Sequence, residues 1–550
     1  MLIRRYVDKH VKGRKYMSEN RYPDILRVPD RVTAVCGTDR RAMQPVGEDR
    51  YACPGIELAY TPAGSGDSAA LILSAPGEGV CFLELEWRGA VPAASLALGD
   101  AVERSYGDLA WEPLRADRVL PWYAVLCDGQ SAAAYGVAVR PNALCWWQAG
   151  PEGITLGLDL RCGTHPVELG AAPLEVCTVL SARASLPMGC EAETGAVFSF
   201  VRDFCARMAD GSALPVDEPV YGGNNWYYAY GESSREQMLR DSRLMASLCA
   251  GNAAKPYMVV DSCWQEGCVA GTPNDCASTV HTRSNERFGD MASLAAEMAE
   301  AGVKPGLWLR PLLPKDEADR AFVVDGLPDT LDPSRPEVQQ LIAADIRRVV
   351  GWGYRLIKYD FSTMELFWRF FQDSHLPWGE GDWRFADRSQ TTAMVVKTLY
   401  RTILENAGDA VLIGCNCVSH LAAGYVHLYR TGDDTSGVEW ARTVRMGVNT
   451  LAFRLPQHGA FYQADADCVG ITGEIPWAQN RQWLDLLAQS GTPLFVSASP
   501  DAMTPEVEAD LRAAFALAGN PGSICRPLDW MENPRPVHWQ TADGERTYRW

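Results

Sequence analysis

The first third of the chain alternates between apolar and polar positions with a period of two, and Gly and Pro interrupt the alternation at short intervals. In residues 83–88, Leu and Trp occupy one face and Glu and Arg the other. In residues 153–161, Ile and Leu occupy one face, and Thr155, Asp159 and Arg161 the other. A period of two is typical of strands with one buried face. Many such strands joined by short turns predict an antiparallel β-sandwich.

A helical spacing then replaces the alternation. Val197, Val201, Phe204 and Met208 lie on one helical face, which predicts a connecting helix that ends near Gly211.

After residue 220, short apolar strands alternate with amphipathic helices. Gly302 is expected to end one helix, and Ser334 with Glu337 forms an S-x-x-E capping box at the start of another. Eight strand–helix units over about 300 residues favour a (β/α)8 barrel over an open sheet. The predicted strands are 220–226, 256–261, 304–309, 356–360, 410–415, 426–430, 460–464 and 492–496.

These patterns predict an α/β protein in four parts. They are an N-terminal β-sandwich (1–193), a linker helix (194–218), a (β/α)8 TIM barrel (219–520) and a small C-terminal β segment (521–550).

Composition narrows the class of protein. The chain has 550 residues, of which 47% are apolar and 10% aromatic, as expected of a globular protein. Lys and Arg number 51 against 69 Asp and Glu, so the net charge is −18, which disfavours nucleic acid and anionic membranes as partners. The basic N-terminus lacks a continuous apolar core, and no later stretch is long enough to span a membrane. We therefore expect a soluble, cytoplasmic protein.

The cysteines indicate neither disulfides nor a metal. The 17 Cys are scattered rather than spaced as a framework, which favours reduced thiols. Cys263, Cys268 and Cys276 lie near each other, but their spacing is loose and no second Cys/His pair completes a tetrahedral zinc site. We expect neither a metal nor a cofactor.

The active site of such a barrel forms at the carboxyl ends of the strands, so the residues where each predicted strand stops are the candidates. Carboxylates and amides bind vicinal hydroxyls, and aromatic faces cover the apolar side of a sugar ring. A sugar site is therefore favoured. The candidate substrate-binding residues are Trp226, Asp261, Trp264, Trp308, Arg310, Lys358, Cys415, Asn416, Arg430 and Asp467.

Two further strand-end carboxylates, Asp360 and Asp434, are the candidate catalytic pair. Glycosidic cleavage with retention needs one carboxylate to attack the anomeric carbon and another to protonate the leaving oxygen. Lys358, on the same strand face as Asp360, is expected to keep that Asp ionised. Asp433 beside Asp434 is expected to raise the pKa of one of the two, which favours a protonated general acid.

These motifs resemble those of clan D retaining glycoside hydrolases, the α-galactosidases of families 36 and 27, over about residues 221–499. The sandwich-then-barrel order is similar to that of family 36. The resemblance implies a nucleophile at Asp360 and an acid/base at Asp434, because the catalytic Asp of that motif follows the Arg by four positions. The motifs are Asn224-Asn225-Trp226, Val260-Asp261-Ser262-Cys263-Trp264, Phe288 to Met291, Gly302 to Trp308, Ile357-Lys358-Tyr359-Asp360, Arg430-Thr431-Gly432-Asp433-Asp434 and Ala464 to Asp467.

Three departures from the families bear on the substrate. Ser262 stands where the resembled enzymes have an Asp that helps to hold O4 and O6 of galactose. Arg310 replaces a Glu, which indicates an anionic or differently substituted glycan, or else an ion pair with Asp261 or another carboxylate. Ser419, in the loop that faces the C2 substituent in the relatives, admits a hydroxyl or an acetamido group.

Several candidates also fit purely structural roles. Asp360 can simply end a strand. The run from Asp433 to Ser436 can cap the next helix, and Trp226, Trp264 and Trp308 can belong to the barrel core. Cys415 fits a small wall residue, and either Asp465 or Asp467 can be the ligand on the seventh strand.

Three functions fit the sequence. The first is a retaining exo-α-glycosidase that removes terminal α-linked galactose or a related sugar such as N-acetylgalactosamine. The second is a transglycosidase that passes the sugar to another sugar, and the third is a non-catalytic carbohydrate-binding protein on a decayed hydrolase barrel. The expected partner is an oligosaccharide or glycoside, and a homo-oligomer is compatible with how the resembled enzymes use their sandwich.

Overall fold

The computed structural model describes residues 22–63, 66–187, 190–268, 280–372 and 381–550. Within these ranges the first part of the chain forms antiparallel strands, which we call the N-terminal β region. Most of its strands join in the order β10-β13-β14-β7-β1-β2-β3-β4-β5-β16-β12-β11-β8-β9, while β15 pairs with β6. Strands β1 to β16 are, in chain order, Arg31–Cys36, Asp39–Pro45, Arg50–Cys53, Ile56–Pro62, Ser68–Ser74, Gly79–Val80, Phe82–Arg88, Leu96–Gly99, Glu112–Pro113, Leu120–Pro121, Tyr123–Cys127, Ser131–Val137, Leu144–Gly150, Gly153–Asp159, Val167–Glu168 and Leu174–Ser185.

Burial follows the sequence pattern in β7 and in the first half of β14, whereas β11 and β12 are buried along their whole length. The inner Leu and Trp side chains of β7 are buried and its Glu side chains are half-buried, as the alternation predicts. Asp159 of β14, expected on the outer face, is instead buried. It forms an ion pair with Arg161 at 2.7 Å, and this partner offsets the cost of taking a carboxylate out of water.

The second part of the chain carries a parallel sheet. Its strands join in the order β27-β26-β25-β24-β21-β18-β17-β29-β28, and each neighbouring pair is parallel. Strands β17 to β29 are, in chain order, Tyr221–Asn224, Tyr257–Val260, Gln265–Glu266, Val280–Ser284, Lys304–Leu309, Val323–Val324, Leu327–Leu331, Leu356–Tyr359, Val411–Gly414, Leu428–Arg430, Gln463–Asp465, Cys468–Ile471 and Leu494–Ala498. The short pairs β19–β20 and β22–β23 lie outside the parallel sheet.

The parallel sheet closes through an interrupted strand. β27 pairs with β26 and β28 with β29, yet only Ala466 and Asp467 separate β27 from β28 along the chain. The ladder therefore returns to its start, as an eight-position barrel requires. Asp467 has φ 73°, in the left-handed region, which interrupts the extended backbone at this point. The observed seventh position begins at Gln463, so the predicted strand 460–464 lies too early in the chain.

Helices cover the outside of the barrel, and the long α1 precedes it. The fifth connection differs from the expected strand–helix unit, because α8 is a single turn. Helices α1 to α12 are Cys190–Ala209, Trp226–Ala229, Arg235–Leu248, Met291–Glu300, Pro336–Gly351, Ser362–Phe367, Thr392–Asn406, Ser419–Ala422, Trp440–Thr443, Asn449–Arg454, Trp477–Gln489 and Pro505–Ala518, and the π-helical segment Val444–Val448 joins α9 to α10.

The predicted capping box is wrong. α5 begins at Pro336, and its N-cap, Arg335, makes no side-chain capping bond. Ser334 Oγ instead accepts a hydrogen bond from the backbone N–H of Asp387 at 3.1 Å. Pro at the first helical position sets the helix start without such a box, because its fixed φ suits a helix and it has no N–H to satisfy.

The chain ends in a small sheet of strands β30 to β32, Arg526–Pro527, His538–Thr541 and Gly544–Thr547. Trp530 and Trp539 of this C-terminal segment are buried. Among the described residues, no helix is both long enough and apolar enough to cross a membrane.

A loop of the N-terminal β region reaches the barrel, and we call residues 100–107 the arm segment. Its Asp100 forms a fully buried ion pair with Arg454 of α10 at 2.9 Å. The backbone N–H of Ser105 donates to the carbonyl of Thr431, and its carbonyl accepts from the N–H of Asp433, both at 2.9 Å. The arm segment is thereby fixed against the loop that follows the sixth barrel strand.

Candidate active site

A cavity of about 800 Å³ opens at the carboxyl ends of the barrel strands. Its volume lies within the range of small-molecule sites. Seven of the twelve predicted site residues line it, namely Trp226, Asp261, Trp308, Arg310, Lys358, Asp360 and Asp434, and Ser262 lies beside them. The remaining lining residues are Arg104, Leu313, Pro314, Lys315, Asp316, Glu317, Arg320, Asp329, Phe361, Met364, Glu365 and Trp368.

Asp360 follows β24 directly, and two donors orient its carboxylate. The indole Nε1 of Trp308 donates to Oδ2 at 3.2 Å, and the backbone N–H of Phe361 donates to Oδ1 at 2.7 Å. Trp308 is only 2% exposed, so its main contact with the cavity chemistry is this bond to Asp360.

Lys358 has a different partner from the predicted one. Its ammonium donates to Oδ2 of Asp261 at 2.7 Å, and Asn224 Nδ2 donates to the same oxygen at 2.6 Å. Asp360 contributes only a longer-range attraction to Lys358. Asp261 and Lys358 are both buried, so this ion pair forms a rigid wall of the cavity between the second and fourth strands.

Asp434 lies among cations, which reverses the pKa shift predicted from its neighbour. Its Oδ1 is 3.1 Å from Arg430 Nη2 and 3.9 Å from Arg104 Nη1. Burial acts to raise the pKa of Asp434, but Arg430, Arg104 and Lys358 outweigh it and lower the pKa to about 2. The side chain is 37% exposed, so the carboxylate remains accessible from the cavity.

Asp433 does not act as an unpaired like charge beside Asp434. Arg104 and Arg442 hold its two oxygens at 2.9 and 2.8 Å. The alternative prediction, that residues 433–436 cap the next helix, is also wrong, because α9 begins only at Trp440. Ser436 Oγ instead accepts backbone N–H bonds within the loop.

Arg310 forms an ion pair, as one of the two alternatives for this residue allowed, but its partner is Glu365, which the sequence did not identify. The Nε of Arg310 donates to Oε1 of Glu365 at 2.6 Å, and its guanidinium lies 4.3 Å from the ring centroid of Phe361. Glu365 is 1% exposed, and its Oε2 has no hydrogen-bond partner among the described residues. Burial raises the pKa of Glu365 to about 7, although Arg310 opposes this shift.

Glu365→Gln is therefore expected to change how stability depends on pH. An acid whose folded pKa exceeds its usual value stabilises the fold while it is protonated, and this contribution is lost as pH rises from about 4.5 to about 7. The neutral Gln does not titrate, so its contribution to stability does not change over this pH range. The melting temperature of the variant relative to the wild type should rise between pH 5 and pH 8, measured by thermal unfolding. A difference that stays constant with pH would show that Glu365 is ionised throughout.

Two of the predicted site residues, one Trp and one Cys, lie behind the cavity wall rather than on its surface. Trp264 is fully buried, and its indole Nε1 donates to the carbonyl of Trp308 at 2.9 Å. Cys415 is 1% exposed, and Arg430 donates to its Sγ at 3.5 Å. Both positions agree with the structural roles that the sequence left open.

The polar candidates Asn416, Arg430 and Asp467 form a supporting layer under the wall. Asn416 is buried and donates to Glu103 of the arm segment. Arg430 bridges Asp434 and Asp467, its Nη2 lying 2.8 Å from the latter. Asp467 also accepts from the backbone N–H of Thr435 at 2.8 Å. Asp465 is buried too, and its Oδ1 accepts from the N–H of Asp467 at 2.9 Å.

The described residues hold no group of three or more His, Cys, Asp and Glu side chains arranged for a metal ion. Cys263 is buried and Cys268 is half-buried, and Cys276 lies outside the described ranges.

The chain is similar to known proteins in structure, but the sequence comparisons find no match. No protein-family model matches the chain, and no curated protein matches it. An α-galactosidase from Thermus thermophilus, solved with p-nitrophenyl α-D-galactopyranoside, matches with a TM-score of 0.59 at 16% identity, over 94% of this chain and 99% of that one. A family 36 α-galactosidase from Geobacillus stearothermophilus, solved with 1-deoxygalactonojirimycin, matches with a TM-score of 0.58 at 14% identity, over 97% and 81%.

An α-galactosidase from Lactobacillus brevis matches with a TM-score of 0.58 at 12% identity, over 92% of this chain and 69% of that one. At such identities the likeness is one of architecture, and function does not follow from architecture alone. The chain is thus similar in fold to the α-galactosidases of glycoside hydrolase family 36.

Proposed function

We propose that the protein is a retaining exo-α-glycosidase, with Asp360 as nucleophile and Asp434 as general acid and then general base. The observation that carries the proposal is that both carboxylates line one cavity at the carboxyl ends of the barrel strands. The proposal places the anomeric centre of a bound sugar between the two groups, which is what a double displacement needs.

The two carboxylates lie in environments that suit different roles. Asp360 accepts hydrogen bonds from Trp308 and from the backbone of Phe361, which fix its orientation for attack on the anomeric carbon. Attack expels the leaving oxygen and forms a covalent glycosyl-enzyme. Asp434 is partly exposed to the cavity, so it can reach the leaving oxygen in the first step and a water molecule in the second. The surrounding cations favour its carboxylate form, which suits the base of the second step, and Asp434 must take up a proton before it can act as the acid of the first.

The proposed substrate is a terminal α-linked galactose or a related sugar on an oligosaccharide or simple glycoside. The similarity in fold to proteins solved with p-nitrophenyl α-galactoside, stachyose and raffinose supports this class. Asp261, Lys358 and Trp226 supply a carboxylate, a cation and an aromatic face to the cavity wall. Such groups bind sugar hydroxyls and the apolar face of a ring.

A panel of aryl glycosides tests the proposal. We expect hydrolysis of at least one of the α-galactoside, the α-N-acetylgalactosaminide, the β-L-arabinopyranoside and the α-glucoside, with the anomeric configuration of the first-formed sugar retained, as followed by proton NMR. Product analysis at high sugar concentration would show transfer to an acceptor. Binding of sugars without turnover of any panel member would contradict the proposal and favour a non-catalytic carbohydrate-binding protein.

A further inference from the structure

Arg104 is a cavity residue that comes from outside the barrel. It belongs to the arm segment of the N-terminal β region, and it is 7% exposed. Its guanidinium lies 5.9 Å from the ring centroid of Tyr106 and 5.5 Å from that of Phe370. The adjacent Ser105 is hydrogen-bonded on both sides to the loop that carries Asp433. Arg104 is therefore held rigidly where it enters the cavity.

The charged ends of Arg104 meet the proposed acid/base loop. Nη2 lies 2.9 Å from Asp433 and Nη1 lies 3.9 Å from Asp434, while Nε is buried without a hydrogen-bond partner among the described residues. A buried guanidinium with an unpaired donor is costly, so a purely structural anchor would be expected to satisfy that group. The placement instead indicates that the positive charge of Arg104 stabilises the neighbouring carboxylates of Asp433 and Asp434.

We propose that Arg104 is a positioning residue that fixes the Asp433–Asp434 loop and holds Asp434 in its carboxylate form. This proposal rests on the proposed glycosidase function, because the carboxylate form of Asp434 has a catalytic role only as the general base of the second step. The N-terminal β region then contributes a side chain, Arg104, to the environment of the proposed acid/base and does not only support the barrel.

Other charged groups also face Asp434, and they limit what Arg104 contributes. They are Arg430 at the end of β26, Lys358 of β24, the phenols of Tyr227 and Tyr230 at α2, and Asp433 beside it, while Asp467 shares Arg430 with Asp434 and Asp360 lines the same cavity. Arg430 and Lys358 remain when Arg104 is replaced. Removing one cation at about 4 Å should therefore raise the pKa of Asp434 by about one unit without returning it to its usual value.

The test measures the protonation of Asp434 directly. A carbodiimide with an amine labels protonated carboxyls, and peptide mass spectrometry can report labelling of Asp434 against the exposed Glu317 as an internal reference. At mildly acidic pH, Arg104→Met should increase relative labelling of Asp434 about tenfold, the factor that one pKa unit gives. Arg104→Lys, which keeps the charge, should label much less than Arg104→Met.

Arg442→Met is the matched control. Arg442 binds Asp433 at 2.8 Å, as closely as Arg104 does, but its side chain makes its contact with Asp434 through the backbone carbonyl only. Arg442→Met should therefore loosen the loop at Asp433 and at the Asp434 carbonyl without removing a cation paired with the Asp434 carboxylate, so the labelling of Asp434 should stay near the wild-type level. Equal labelling in Arg104→Met and the wild type, or an equal rise in Arg442→Met, would overturn the proposal. If Arg104→Met does not fold, Arg104→Gln carries the same expectation.

Activity supplies a second readout and separates the two proposals. In the Arg104 variant, the limbs of the pH–rate profiles that report Asp434 should move to higher pH by about one unit, whereas a structural loss would lower the rate at every pH. A wild type that hydrolyses no glycoside would overturn the proposed function, and labelling would still decide the role of Arg104. An active wild type whose profile and labelling are unchanged by the substitution would overturn the role of Arg104 alone.

Discussion

Asp360→Asn is expected to lower hydrolysis of the best aryl α-glycoside by several orders of magnitude while sugar binding and the fold are retained. The amide has nearly the size of the carboxylate, and its single oxygen can still accept from one of the two donors, Trp308 Nε1 or the N–H of Phe361. It cannot attack the anomeric carbon as an anion. Steady-state kinetics give the loss of turnover, and calorimetric titration with the free sugar gives the retained binding.

Asp409→Asn is the control for this substitution. Asp409 is exposed and lies just before β25, at the opposite end of the barrel, so the same chemical change there should leave turnover unaltered. A 2-deoxy-2-fluoro glycoside with a good leaving group should also trap the covalent intermediate on the peptide that contains Asp360. Undiminished turnover in Asp360→Asn, or a trapped sugar on another carboxylate, would remove Asp360 from the nucleophile role.

Asp434→Ala is expected to separate substrates by their leaving groups. Formation of the glycosyl-enzyme from an activated aryl glycoside needs little protonation, so the rate of this step should fall only slightly. The same step with an alkyl glycoside or oligosaccharide should slow by about 100-fold to 10,000-fold. Azide should then restore turnover of the aryl substrate and give the α-glycosyl azide, because a small anion can occupy the space left by the carboxylate. Initial rates and NMR of the azide product measure both effects.

Asp433→Asn provides the comparison for the acid/base assignment. Asp433 binds Arg104 and Arg442, so its loss should slow all substrates to a similar degree, without azide rescue. Should Asp434→Ala behave in this uniform way and Asp433→Asn discriminate between leaving groups, the acid/base assignment would pass to Asp433.

The fold and part of the cavity could be predicted from local patterns. Hydrophobic periodicity predicted the strands, and the carboxyl end of each barrel strand leads to the same cavity, which is why Asp261, Lys358 and Asp360 are found together. The seventh position was misplaced because its strand is interrupted at Asp467, and a left-handed residue other than Gly or Asn has no clear sequence signal.

The partners of the charged residues could not be predicted in the same way. Lys358 bonds to Asp261 rather than Asp360, and Arg310 bonds to Glu365 of α6, because the packing of distant segments, and not the position at a strand end, decides which carboxylate each cation reaches. Arg104 lies more than 300 residues before Asp434 in the chain, and periodicity carries no information at that separation. Its only sequence signal is a run of polar residues, Glu103 to Tyr106, after a strand of a largely apolar region.

The arm segment also bears on how this protein can be divided or recombined. Removing the N-terminal β region would take away Asp100, the counter-ion of Arg454, together with the carbonyls of Ala101 and Glu103 that also accept from that guanidinium. A truncated barrel would lack Arg104 as well, so its acid/base loop would face solvent on one side. The two regions are thus not interchangeable modules, and grafting this barrel onto a foreign β region would require residues 100–107 to travel with it.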